Sequence, residues 1–107
     1  MIDVDQVLVE LWANAPVPKY AWYRGKEYMI GKRVYLKEGE TVFTFHPGDY
    51  GKAADGAWWI RPPHGSMGQL TDHEVVEHED GAITVSPSIL LPDQWHGFLE
   101  RGVWREA

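Results

Sequence analysis

At 107 residues, with ten basic against sixteen acidic residues and a net charge of −6, the chain is expected to be a single acidic domain spanning residues 1–107. That balance argues against holding nucleic acid by phosphate neutralisation and against anchoring on anionic membranes, and it leaves an acidic face open to a basic protein. No cysteine is present, which removes disulfides, thiolate catalysis and every cysteine-based zinc site.

The first expected element is a helix over residues 3–14. Val4, Val7, Leu8, Leu11 and Trp12 repeat at the spacing of one apolar face. Asp3 is a suitable N-cap, with Gln6 three residues on, and Pro16 and Pro18 end the segment. The N-terminus carries neither a basic n-region nor an apolar h-region, so the cytoplasm of a host cell is the expected location. No apolar run is long enough to span a membrane.

The remainder punctuates like β structure. Tyr20 to Arg24 reads as a short aromatic strand ending at Gly25. Glu27 to Lys37 reads as a strand broken at Gly31, and Thr41 to His46 as another, on Val42, Phe43 and Phe45. Pro47 to Gly56 reads as a loop, Ala57 to Arg61 as a strand, and Pro62 to Gly68 as a second loop. Two hairpins close the chain. Asp80-Gly81 turns Glu74 to Glu79 back onto Ala82 to Ser86, pairing Val76 with Val85 and placing Val76, His78, Ile83 and Val85 on one face. Arg101-Gly102 turns Trp95 to Glu100 onto Val103 to Glu106, pairing Leu99 with Trp104.

Candidate functional residues fall in three groups. Trp22 and Arg24 lie in the aromatic–basic run Tyr20 to Lys26, which could stack a base or sugar and pair a phosphate; an edge strand burying alternate rings uses the same residues. Arg61, with the amides of Gly65, Ser66 and the rest of the loop to Gly68, could hold an anion, although simple turn formation needs the same glycines. Among the five histidines, His46, His64 and His96 could assemble a metal site with carboxylate help. No spacing of the usual metal-binding kind supports that, and Phe45-His46-Pro47-Gly48-Asp49 supplies only one histidine of the several a metal-bearing β-roll needs. Ser66 sits outside any Gly-x-Ser-x-Gly elbow, and Ser86 and Ser88 suit turn capping.

Thr84, Ser86, Pro87, Ser88 and Ile89, followed by His96, Phe98 and Gly102, form a pattern that resembles a family of small phage and prophage proteins with no assigned biochemical function. Some members carry the label "ammonia monooxygenase". The family shows Thr-x-Ser-Pro-Ser-[Ile/Val], a gap, then Cys-His-Ser-Phe-Ile-x-x-Gly-x-Ile, and the resemblance covers residues 57–106. Ile60 to Gly68 stands where many members have a Cys-Pro-x-Cys-Gly knuckle; here the cysteines are missing and Trp95 replaces the one before His96. The resemblance implies a β-rich phage accessory protein that has lost any zinc site and performs no catalysis.

The expected fold is mainly β, a small antiparallel sandwich or barrel-like sheet with one N-terminal helix and C-terminal hairpins. The expected function is non-enzymatic binding: sequestering a small-molecule ligand or a host protein, such as a defence component, with no cofactor, no direct nucleic-acid contact and no membrane contact. The ligand-binding residues expected are Arg61, His64, Gly65, Ser66, Trp95, His96, Trp22 and Arg24. A nucleotide sponge would use Arg61, the loop amides and a stacking ring; an inhibitor of a nucleic-acid enzyme would present Glu74, Glu77, Glu79 and Asp80. A metal-dependent β-roll enzyme using His46, His64 and His96, and a structural virion component, are the alternatives. The tryptophan content makes a homodimer an expectation as well.

Overall fold

Short two-residue turns set the frame of the largest sheet. In a computed structural model of the chain, which describes residues 20–107 with side chains from residue 24 onward, Arg101 and Gly102 both adopt positive φ, 45° and 77°. This is the turn whose twist matches its flanking strands. It joins β10 (Trp95–Glu100) to β11 (Val103–Glu106) in the expected register, with Leu99 opposite Trp104. Arg24 and Gly25 make the equivalent turn between β1 (Tyr20–Tyr23) and β2 (Lys26–Ile30). With β9 (Ile89–Leu91) these strands form a five-stranded sheet in the order β1-β2-β11-β10-β9, antiparallel throughout. The expected helix over residues 3–14 lies outside the described residues.

A four-stranded sheet follows the order β3 (Lys32–Val34), β4 (Asp49–Lys52), β5 (Trp58–Ile60), β6 (Gly68–Gln69), and its β3–β4 pair is parallel. β7 (Glu74–Glu77) and β8 (Ile83–Ser86) form a separate ribbon. One core joins all three sheets: Met29, Trp95, Leu99 and Trp104 from the first, Tyr50 and Ile60 from the second, Ile83 and Val85 from the ribbon. The chain is therefore mainly β, as expected. Burial pushes the Tyr50 phenol well above its ordinary range, with Asp80 adding to the rise, so the ring stays neutral. No helix among the described residues is long and apolar enough to cross a membrane.

Three local expectations are corrected. Thr41 to His46 is not a strand but a single 3-10 turn at Val42–Thr44. The Thr44 amide and hydroxyl both donate to the Thr41 carbonyl, at 3.2 and 2.9 Å, which satisfies the backbone locally. Val42 and Phe45 point inward and Phe43 stands 74% exposed. The stretch from Pro47 is not wholly loop: Asp49–Lys52 is an interior strand of the four-stranded sheet, carrying the buried Tyr50.

The third correction is the register of the ribbon. Val75, not Val76, pairs with Val85, and Glu77 pairs with Ile83. The His78 amide donates to the Ala82 carbonyl and the Gly81 amide to His78, closing a three-residue loop with Gly81 at φ +88°. That extra residue shifts the pairing by one and exchanges the faces of the first strand. Val76 is accordingly 47% exposed. His78 bonds Thr84 through Nε2 at 2.7 Å.

Arg33 ties the ribbon to the four-stranded sheet. Its guanidinium lies 4.4 Å from the Tyr35 ring centroid and 4.8 Å from that of Trp58, and Nη1 donates to Glu77 at 2.8 Å and to the Gly81 carbonyl at 2.9 Å. The hydrogen bond from Arg33 holds the Glu77 carboxyl below its usual range. A carboxyl with a lowered folded pKa adds stability above its unfolded pKa and loses it as pH falls through the folded one. Arg33→Met should lower the melting temperature at neutral pH and flatten part of the acid-side decline in stability. Urea midpoints at about pH 7 and about pH 3, on either side of the carboxylate range, check this. Equal losses in both proteins between those points would show that the pair is uncoupled from folding.

Candidate functional site

Strand alternation places Glu27 with Met29 on β2, and Glu106 with Trp104 on β11, on the inner face of the five-stranded sheet. Trp95 points to the same side from β10, and its six-membered ring lies against the position a Gly97 side chain would occupy. Trp95 and Trp104 meet edge to face, centroids 5.4 Å apart. Where this face runs out of core, Pro63 and His64 from the β5–β6 loop cover it. The result is a cleft of about 40 Å³ lined by Glu27, Met29, Pro63, His64, Trp95, Trp104 and Glu106. The Trp104 indole N–H is already used, donating to the Gly48 carbonyl at 2.8 Å.

The structure thus brings His64 and Trp95 to one cleft. Trp22 occupies the register position opposite Glu27 on edge strand β1, and Arg24 sits exposed in the following turn. Gly65 and Ser66 face Gln94 of the β9–β10 turn: the Ser66 amide donates to Gln94 Oε1 at 2.6 Å and its hydroxyl at 2.9 Å. An amide engaged this way is not free for an anion. Arg61 Nη1 donates to the Phe45 carbonyl at 2.6 Å, which spends that donor on holding the 3-10 turn. Arg61 Nη1 and the Ser66 amide are thus both engaged in internal hydrogen bonds.

The three histidines of the metal reading lie apart. His46 is exposed at 87% and lies 3.8 Å from the Asp49 carboxylate, His64 borders the cleft, and His96 Nε2 is 3.0 Å from Ser88 Oγ on the opposite face of β10 from Trp95. Among the described residues no three His, Cys, Asp or Glu side chains come together in a way that could hold a metal ion.

Ser88, from the Ser-Pro-Ser piece, bonds His96, from the His-Gly-Phe piece, beside the antiparallel β9–β10 pair. No protein-family model, curated protein or solved structure matches the chain. The resemblance therefore stands on its pattern residues.

A second concavity opens at the tip of the ribbon, about 460 Å³, lined by Glu77, His78, Glu79, Asp80 and Arg101. Arg101 Nη1 lies 3.4 Å from His78 Nδ1, and its backbone amide donates to Thr84 Oγ1 at 3.0 Å. Residue type alone missed Glu27 and Glu106 as site residues. Their signal was present in the alternation: each stands two positions from a core residue, Met29 or Trp104, and so on the core side of its strand.

Proposed function

We propose that the chain is a non-enzymatic accessory binding protein of phage or prophage type that sequesters a basic host protein. The nucleic-acid-binding face of a defence component is the class of surface that fits. The observation that carries the reading is that two concavities, at Glu27/Glu106 and at Glu77/Glu79/Asp80, both open between carboxylates. Size excludes a nucleotide from the first: 40 Å³ is far below the roughly 300–1,000 Å³ of small-molecule sites. Charge disfavours one in the second, where Glu77 is paired with Arg33 and two further carboxylates, Glu79 and Asp80, stand against Arg101. A basic protein surface meets both requirements, and complementary charge speeds such an encounter. The phage-type origin rests on the family pattern read in the sequence.

Two measurements test the proposal. A panel of nucleotides should leave the melting temperature unchanged, since a ligand that binds the native state raises it. A host protein retained by the wild-type chain should be released by heparin or duplex DNA competing for its basic face, and retained poorly by Glu74→Lys/Glu79→Lys. A nucleotide that stabilises the protein, or a partner that carries nucleic acid and this chain together, would overturn the reading.

A further inference from the structure

We propose that Ser88 is a nucleophile, activated by His96, that takes an acyl group from a small activated ester. One acyl group captured per chain is modification, not turnover, so the site is independent of the binding reading above.

Both members of the pair are anchored. Ser88 Oγ lies 3.0 Å from His96 Nε2, within the reach of a nucleophile and its base. Ser88 stands between Pro87, whose ring fixes its own φ, and Ile89, which is buried in the core. The Ser88 carbonyl accepts from His73 Nε2 at 3.1 Å. His96 sits within β10 between the buried Trp95 and Gly97, and its carbonyl accepts the Ala107 amide at 2.9 Å. The spacing between hydroxyl and imidazole is therefore built into the backbone. With the imidazole proton on Nδ1, the hydroxyl donates to Nε2, the orientation that general-base removal of its proton needs.

The surroundings set the substrate class. His96 pairs with Leu90 across β10 and β9, so the two side chains share the outer face of the sheet. Leu90 is 60% exposed, an apolar surface beside the pair on which a short acyl chain can lie. Phe98, two residues beyond His96, continues that face, its ring under the Arg105 guanidinium at 4.3 Å. His96 is exposed and Ser88 half-buried, so an ester reaches them without any opening of the fold. A leaving group as weakly basic as a nitrophenolate departs with little help from surrounding donors, which suits an open site. Ser88 Oγ bonds the ester carbonyl carbon while its proton passes to His96 Nε2. The bond from that carbon to the phenoxy oxygen breaks, and the phenol leaves with the proton. Acyl-Ser88 and a neutral imidazole remain.

The probe is para-nitrophenyl butyrate. Mixed with the intact 107-residue chain, it should release one nitrophenol per chain in a burst and leave one butyryl group, located on Ser88 by tandem mass spectrometry. Ser88→Ala should remove both burst and label. His96→Gln can still hydrogen-bond the hydroxyl but cannot take its proton; it should slow acylation about a hundredfold, the lower end of what a general base supplies. The wild-type rate should also fall in heavy water, a response that a merely structural histidine would not give. Leu90→Ser should slow butyrylation and leave acetylation by para-nitrophenyl acetate nearly unchanged. Wild-type melting curves confirm that the variants fold; if Ser88→Ala is unstable, the position of the label in the wild-type chain decides alone. Butyryl groups on lysines with Ser88 unmodified, or a His96→Gln rate equal to wild type, overturn the proposal. Either failure leaves the binding reading standing, because partner capture and its release by heparin are measured without the ester.

Discussion

Trp104→Ala is expected to cost about 3–5 kcal/mol of folding stability, the range for truncating a buried tryptophan. The whole stability of such a domain is about 5–15 kcal/mol, so a large unfolded fraction should follow. Trp104 is 1% exposed, pairs with Leu99 across β10 and β11, and packs edge to face on Trp95. Its indole N–H also crosses to the other sheet, donating to the Gly48 carbonyl just before β4. Truncation therefore removes ring volume, an aromatic contact and a link between sheets. Trp104→Phe separates these effects. It keeps an aromatic ring in the core while removing the indole donor and part of the ring volume, leaving the Gly48 carbonyl with the Lys32 amide at 3.2 Å. A loss of about 1–2 kcal/mol is expected for that variant. Urea denaturation followed by circular dichroism measures both. An alanine variant with a wild-type midpoint would mean that the sheets are held together elsewhere.

The same residues show what sequence conveys and where it stops. Arg101-Gly102 was readable because both turn residues accept positive φ, and a two-residue turn leaves a single register. Asp80-Gly81 carries an equally strong two-residue signal, yet only Gly81 of the pair adopts positive φ. The loop takes in Glu79 as well, and the face of β7 exchanges. Nothing within the dipeptide distinguishes these outcomes. The choice is set by contacts far along the chain: Arg33 accepted by the Gly81 carbonyl, and the Gly102 amide donating to Ile83. Asp49–Lys52 was hidden for a related reason. Proline and glycine dominate the composition around it, while Tyr50 enters the core through pairing with β5.

The candidate site was legible in parts and not as an assembly. His64 and Trp95 could be singled out by type, but their convergence depends on the β5–β6 loop folding over a sheet that joins strands from residues 20–30 to strands from residues 89–106. Arg61 and Ser66 looked available for a ligand because sequence does not show that Phe45 and Gln94 claim them. Glu27 and Glu106 were readable only once Met29 and Trp104 were known to face inward. That knowledge turns a solvated charge into a rim residue.

Gly31→Ala is expected to cost about 3 kcal/mol, the upper end for an added methyl in a tightly packed interior. At Gly31 the chain leaves the five-stranded sheet and enters the four-stranded one, and its amide donates to the Gly102 carbonyl at 2.7 Å. A Cβ built there would lie 2.7 Å from Trp104 Nε1, 2.8 Å from the Gly48 carbonyl oxygen and 2.9 Å from that of Gly102. Two of these atoms are backbone and cannot rotate away. The third belongs to the indole that already bonds Gly48, so relief at one contact disturbs another. Gly39→Ala is the control: φ is +85° and nothing lies within 4 Å of the added carbon, leaving only left-handed strain of about 1–2 kcal/mol. Comparing urea midpoints, with the denaturant slope unchanged, separates steric conflict from backbone strain. If Gly31→Ala costs no more than Gly39→Ala, the two sheets can part at this crossing. The junction among Gly31, Gly48, Gly102 and Trp104 would then not be what fixes them together.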